Sequence, residues 1–144
     1  MKSTLVAQRD GLRTYVVVLA HGDEAMGSLK AFAEQEQLAG SEFRAIGAFA
    51  RVVVAYFDWT TKRYRNIPID EQVEVLSLNG NVALDGEKRQ IHAHIVVGRR
   101  DASAHGGHFV EGHVRPTLEI VVNELPCHLR RRFDPESGLA LIEP

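Results

Sequence analysis

Cys127 is the only cysteine in the 144-residue chain. No intrachain disulfide can form, and a zinc site built on thiolates would lack its usual companions. Cys127 is expected to pack as a small hydrophobe. Long apolar runs are missing too: the longest, residues 15–20 and 52–57, fall far short of the roughly 18 residues that suggest a membrane helix. Met1, Lys2, Ser3 and Thr4 lead into Leu5, Val6 and Ala7 with no extended apolar stretch, so no targeting segment is expected. These features predict a cytoplasmic protein without membrane association. An excess of either charge is also lacking, and a formal net charge of −2 with a pI near 6.4 offers no overall attraction to nucleic acid or anionic lipid. Nucleophile elbow, phosphate loop and paired acid/base carboxylates are absent from the sequence. The catalytic constellation is therefore incomplete, and an enzymatic reading would rest on a metal alone.

What is present is an ordinary globular composition, 44% hydrophobic and 25% charged, at a length that suits one domain spanning residues 1–144. The oddity is histidine. Four of the seven, His92, His94, His105 and His108, crowd into one short stretch. If residues 91–98 form a strand, Ile91, Ala93, Ile95 and Val97 point one way while His92 and His94 point the other. Histidines two apart on a strand are roughly 7 Å apart at the backbone, close enough for both rings to lean onto one ion or ligand. Residues 99–106 read as a polar connection, after which His108 returns beside the first strand as a hairpin partner. Gly106 and Gly107 precede it, as glycines do where backbone bends sharply or another group approaches closely. A polar sheet face without metal is the competing reading of the pair. His105 belongs to the connection, and His21, His113 and His128 read as ordinary surface or structural residues.

Along the chain, residues 14–20 form a β-branched run with no polar alternation, as expected of a central strand covered on both faces. Asp23 is then expected to cap a helix whose positive end Glu24 complements, with Met26, Leu29, Phe32 and Ala33 on one apolar stripe and Gly40 as its stop. Strands are expected over 43–49 and 51–58, with a turn at 58–62 and a return edge from Arg63. A strand over 73–78 follows, then turns at 79–81 and 85–88. Residues 117–123 give a further strand stopped by Pro126, 128–134 an edge strand, and 139–142 a segment packed on the body. One early helix followed by many strands predicts an α+β domain: a mainly antiparallel sheet with one principal N-terminal helix.

The ordered elements Gly47-Ala48-Phe49, Tyr56-Phe57-Asp58, 74–81, His92-Ala93-His94, Gly106-Gly107-His108 and 118–122 together resemble the plants-and-prokaryotes-conserved (PPC) domain family over almost the whole chain. The likeness is to the stand-alone prokaryotic type, often labelled predicted DNA-binding, and to the C-terminal domain of plant AT-hook nuclear proteins. It implies an α+β fold that assembles as a homotrimer. It also implies a metal, zinc, at His92, His94 and His108. Two features depart from the plant pattern. No Arg-Gly-Arg-Pro hook occurs, and residues 71–76 keep only the apolar and glutamate half of the plant partner-binding segment.

Three imidazoles with an open fourth position characterise a catalytic or ligand-accepting zinc, here one that accepts a small molecule or anion. Glu119 and Glu74 are the candidates to hydrogen-bond and orient a ligating histidine or to serve as base. For Glu119 a solvated strand glutamate is an equal reading. The competing function is a regulatory module that binds DNA or a protein partner. Its basic candidates are Arg99-Arg100 and the run Arg130, Arg131 and Arg132, each more often a solvated edge than a phosphate track.

Overall fold

The computed structural model describes residues 1–143. The strands, in chain order, are β1 (Lys2–Arg9), β2 (Leu12–Ala20), β3 (Gly40–Asp58), β4 (Arg63–Ile69), β5 (Val73–Asp85), β6 (Lys88–Gly98), β7 (Ala104–Glu124), β8 (Arg130–Asp134) and β9 (Leu139–Glu143). A single helix, α1 (Ala25–Gln35), lies between β2 and β3. All nine strands belong to one sheet. It is mixed, because Leu84 of β5 runs parallel to Arg130 of β8 while the other pairings are antiparallel.

The expected α+β domain organised by a principal helix is overturned. Most residues lie in strands, and the helix is 11 residues long. The difference arises from glycines that punctuate the sequence without ending strands. The predicted turn at 79–81 lies inside β5, where Gly80 makes room for an aromatic ring: a Cβ there would stand 2.4 Å from Phe43 Cζ. The two strands expected over 43–58 are one 19-residue strand, and residues 104–124 form another of 21. Such long strands survive by bulging, with register shifts between Ala45 and Gly47 and between Val53 and Val54.

Strand pairings close on themselves. β3 pairs with β5, β5 with β6, β6 with the start of β7, and β7 with β3. The core fills the inside of this ring with Phe49, Phe109, Leu78, Ile95 and Leu118, all buried. Helix α1 covers the core with Met26, Leu29 and Phe32, and the Phe32 ring meets Tyr15 edge-on at 5.3 Å. Its cap is Glu24, whose carboxylate accepts from the Met26 and Gly27 backbone N–H groups at 2.9 and 2.6 Å. Asp23, the expected cap, instead accepts from the Ala20 amide and the N-terminal ammonium. The helix ends before Gln37, which adopts φ 53°, and Gly40 already belongs to β3.

β2 departs from expectation in a way that bears on function. Tyr15, Val17 and Leu19 are buried, but Val16 and Val18 face outward. Alternation from buried Val73 and Val75 likewise turns Leu76 out of β5, leaving it 54% exposed, and Ile46 of β3 is 60% exposed. The apolar runs are therefore covered on one side only within the chain.

Candidate metal centre

His92 and His94 leave the same face of β6, with Ala93 and Ile95 buried beneath them. Antiparallel register puts His108 of β7 directly opposite His94, and Ala55 of β3 flanks His108 on its other side. Cross-strand partners share a face, so the third imidazole projects beside the other two. The preceding glycines permit this packing. A Cβ on Gly106 would lie 2.6 Å from the Ile95 carbonyl oxygen, and one on Gly107 would lie 2.7 Å from that of Ala55.

The three rings converge. Centroid separations are 5.0 Å for His92 and His94, 5.3 Å for His92 and His108, and 5.6 Å for His94 and His108. One ring nitrogen from each lies within 4.8 Å of the others, and the Nε2 atoms of His92 and His94 are 3.2 Å apart. Two nitrogens bound tetrahedrally to zinc at 2.0–2.1 Å are separated by about 3.3 Å, so this pair already has the spacing of a shared ion. His108 Nδ1 is buried with no hydrogen-bond partner, a condition native proteins rarely leave uncorrected. Residues and geometry thus fit a metal.

Electrostatics favour the unprotonated form that a ligand must have. Burial, followed by the nearby His92 and His94, pushes the His108 pKa down to about 4. Burial, then His94 and Arg131, lowers that of His92. At neutral pH both rings offer a lone pair without first losing a proton.

Two further hairpins border the site. The Tyr64 ring of β4 lies 4.5 Å from the His108 ring, backed by Phe57 at 5.1 Å. On the other side, Asn79 and Asn81 of β5 stand opposite His94 and His92, and Arg131 of β8 donates to Asn81 Oδ1 at 2.5 Å. Sequence reading missed Tyr64 and Asn81. Asn79 and Asn81 share a face by simple alternation once residues 73–85 are read as one strand, whereas nothing local distinguishes Tyr64.

The carboxylates and arginines singled out from sequence lie elsewhere or act differently. Glu119 is opposite Ile46 and Val18, and β3 and β5 separate it from β6. At roughly 4.8 Å per strand it stands well beyond reach of the histidines. Glu74 pairs with Gly98, four residues along β6 from His94. His105 pairs with Val97 and remains exposed outside the cluster. Arg130, Arg131 and Arg132 do not form a continuous track: Arg131 turns inward to Asn81, while Arg132 pairs with Glu143 at 2.9 Å. Arg99 and Arg100 line a separate cleft with Glu71, to which Arg99 is ion-paired.

The Plants and Prokaryotes Conserved (PCC) domain matches residues 6–126. The chain belongs to that family. Among solved structures, a plant- and prokaryote-conserved protein from Pyrococcus horikoshii is similar with 32% identity and a TM-score of 0.85, covering 92% of each chain. A candidate DNA-binding protein from Bacteroides thetaiotaomicron matches with 27% identity and a TM-score of 0.89 over 98% of this chain and 96% of that one. A metal-containing protein from Archaeoglobus fulgidus is 27% identical, with a TM-score of 0.85, over 100% of this chain and 99% of its own. Comparison with curated proteins gives no match. The likeness of this plants-and-prokaryotes-conserved chain to a metal-containing relative agrees with the donor set its own three histidines present. No helix among the described residues is long and apolar enough to cross a membrane.

Proposed function

We propose that this chain is a homotrimeric zinc protein in which His92, His94 and His108 hold the ion and leave a fourth position for a small ligand or anion. The observation that carries the reading is the convergence of three imidazoles, two of them at the spacing of a shared tetrahedral ion. Neutral imidazole donors suit zinc. Bound there, zinc would supply a Lewis-acid centre that attracts and orients an electron-rich group.

The homotrimer is supported by the outward face of the sheet. Val16, Val18, Ile46, Leu76 and Val96 are exposed large hydrophobic residues on strands that otherwise alternate, and such apolar surface marks an interaction site. Val96 follows His94 on the same side of β6. Subunit contact along this face would bring a neighbouring copy to the edge of the histidine cluster. With Glu74 and Glu119 away from the histidines, ligand binding is a better account of the site than hydrolysis.

Zinc analysis of untagged protein tests the proposal. The wild type should contain about one zinc per chain, and the His92→Ala/His94→Ala variant almost none. Equal, negligible zinc in both would reject it. DNA binding is the second reading, favoured by the description of the Bacteroides thetaiotaomicron relative. It predicts a salt-sensitive shift of duplex DNA that is lost when Arg130, Arg131 and Arg132 are replaced.

A further inference from the structure

Resting on the zinc reading, we propose that Arg131 makes this site selective for a small carboxylate. The side chain comes within one strand of the histidines, on β5: its Nη2 donates to Asn81 Oδ1 at 2.5 Å, and Asn81 is the cross-strand partner of His92. A guanidinium only donates hydrogen bonds, so this contact also sets the Asn81 amide, with its oxygen toward Arg131. The second anchor is the Ala140 carbonyl of β9, which accepts from Nη1 at 3.1 Å. Each terminal nitrogen has two N–H groups. Two anchors therefore leave one donor on each, a pair suited to the two oxygens of a carboxylate. Arg131 Nε is buried without a partner, so the terminal nitrogens are the ones a ligand meets.

Charge points the same way. A dication on the three histidines and a guanidinium beside Asn81 would repel each other across one sheet face, whereas an anion between them attracts both. The histidines are not acidic, and Glu74 and Glu119 stand apart, so the cluster contains no anion of its own. Asp85 is the carboxylate whose charge acts on Arg131, and it already accepts from Gln90 at 3.1 Å. Tyr64 on the opposite side of the cluster offers an aromatic wall against His108, suited to the hydrocarbon part of a small organic acid.

Cobalt(II)-loaded protein reports the event through its visible spectrum, without any assumed activity. Acetate and inorganic phosphate are titrated separately into wild type, Arg131→Gln, Arg131→Lys and Arg132→Gln, with folding checked by circular dichroism and cobalt content measured for each. Acetate should change the wild-type spectrum and bind about tenfold or more weakly to Arg131→Gln, the loss expected for one charge-assisted contact. Arg131→Lys should fall between them and Arg132→Gln should match wild type. Equal acetate affinity in wild type, Arg131→Gln and Arg131→Lys overturns the assignment, as does preference for phosphate over acetate or a cobalt spectrum that neither anion changes. Failure of the wild type to take up cobalt overturns the metal reading and this inference with it.

Discussion

Gly107→Ala is the sharpest probe of how the fold builds its histidine cluster. A Cβ at this position would stand 2.7 Å from the Ala55 carbonyl oxygen, whereas unstrained carbon–oxygen contacts lie at about 3.3 Å or more. The strands must separate locally by roughly 0.6 Å. β3 cannot easily yield there, because Ala55 pairs with Asn66 on one side and His108 on the other. Forcing extra volume into such a place costs about 1–3 kcal/mol, and at about 2–4 °C per kcal/mol for a chain near this size the midpoint of metal-free protein should fall by roughly 2–12 °C. Gly98→Ala is the matched control. Its nearest new neighbour is Leu76 Cδ1 at 3.3 Å, the far end of an exposed side chain that can swing aside. Thermal unfolding followed by circular dichroism, first with chelator and then with zinc, separates two effects. Gly107→Ala should lower the metal-free midpoint and also reduce the rise that zinc produces, because His108 is the next residue and moves with the strand. Midpoints for Gly107→Ala and Gly98→Ala within about 1 °C of each other, a difference worth less than about 0.5 kcal/mol, would refute the close-approach argument.

The pH response of metal-free protein follows from His108. Its pKa is about 4 in the folded chain against an ordinary 6.5, so as pH falls the unfolded chain takes up this proton first. Stability is full above pH 6.5 and is lost progressively as pH falls toward 4. Denaturant unfolding at a series of pH values should show this slope in wild type and a flatter one in His108→Gln; parallel profiles would count against it. If the proposed trimer uses the exposed apolar face, Ile46→Glu/Leu76→Glu, which alters side chains 60% and 54% exposed within one chain, lowers the mass seen by sedimentation to that of a monomer while leaving the chain folded. An unchanged mass would remove this face from the assembly.

Much of the candidate site was legible because it depends on short-range rules. Alternation on one strand puts His92 and His94 on a common side whatever surrounds them, and a short polar connection returns His108 to the neighbouring strand. The fold was read less well. Asn79-Gly80-Asn81 has the composition of a turn, yet Gly80 is needed because the Phe43 ring packs over it, and no local pattern reveals that ring. The same error hid Asn81 and left Arg131 grouped with its neighbours as a surface charge.

The family, the face that His92 and His94 share and the glycine approach to His108 can be read from residue order, since periodicity, spacing and residue type are local properties. Long-range pairing is what makes two very long strands close the sheet, leaves the helix a minor element, and selects which of three consecutive arginines turns inward to Asn81. Those outcomes depend on pairings such as Leu84 with Arg130 and Ala55 with His108. Contacts between residues so far apart in the chain arise from packing and register, which no short stretch of residues specifies.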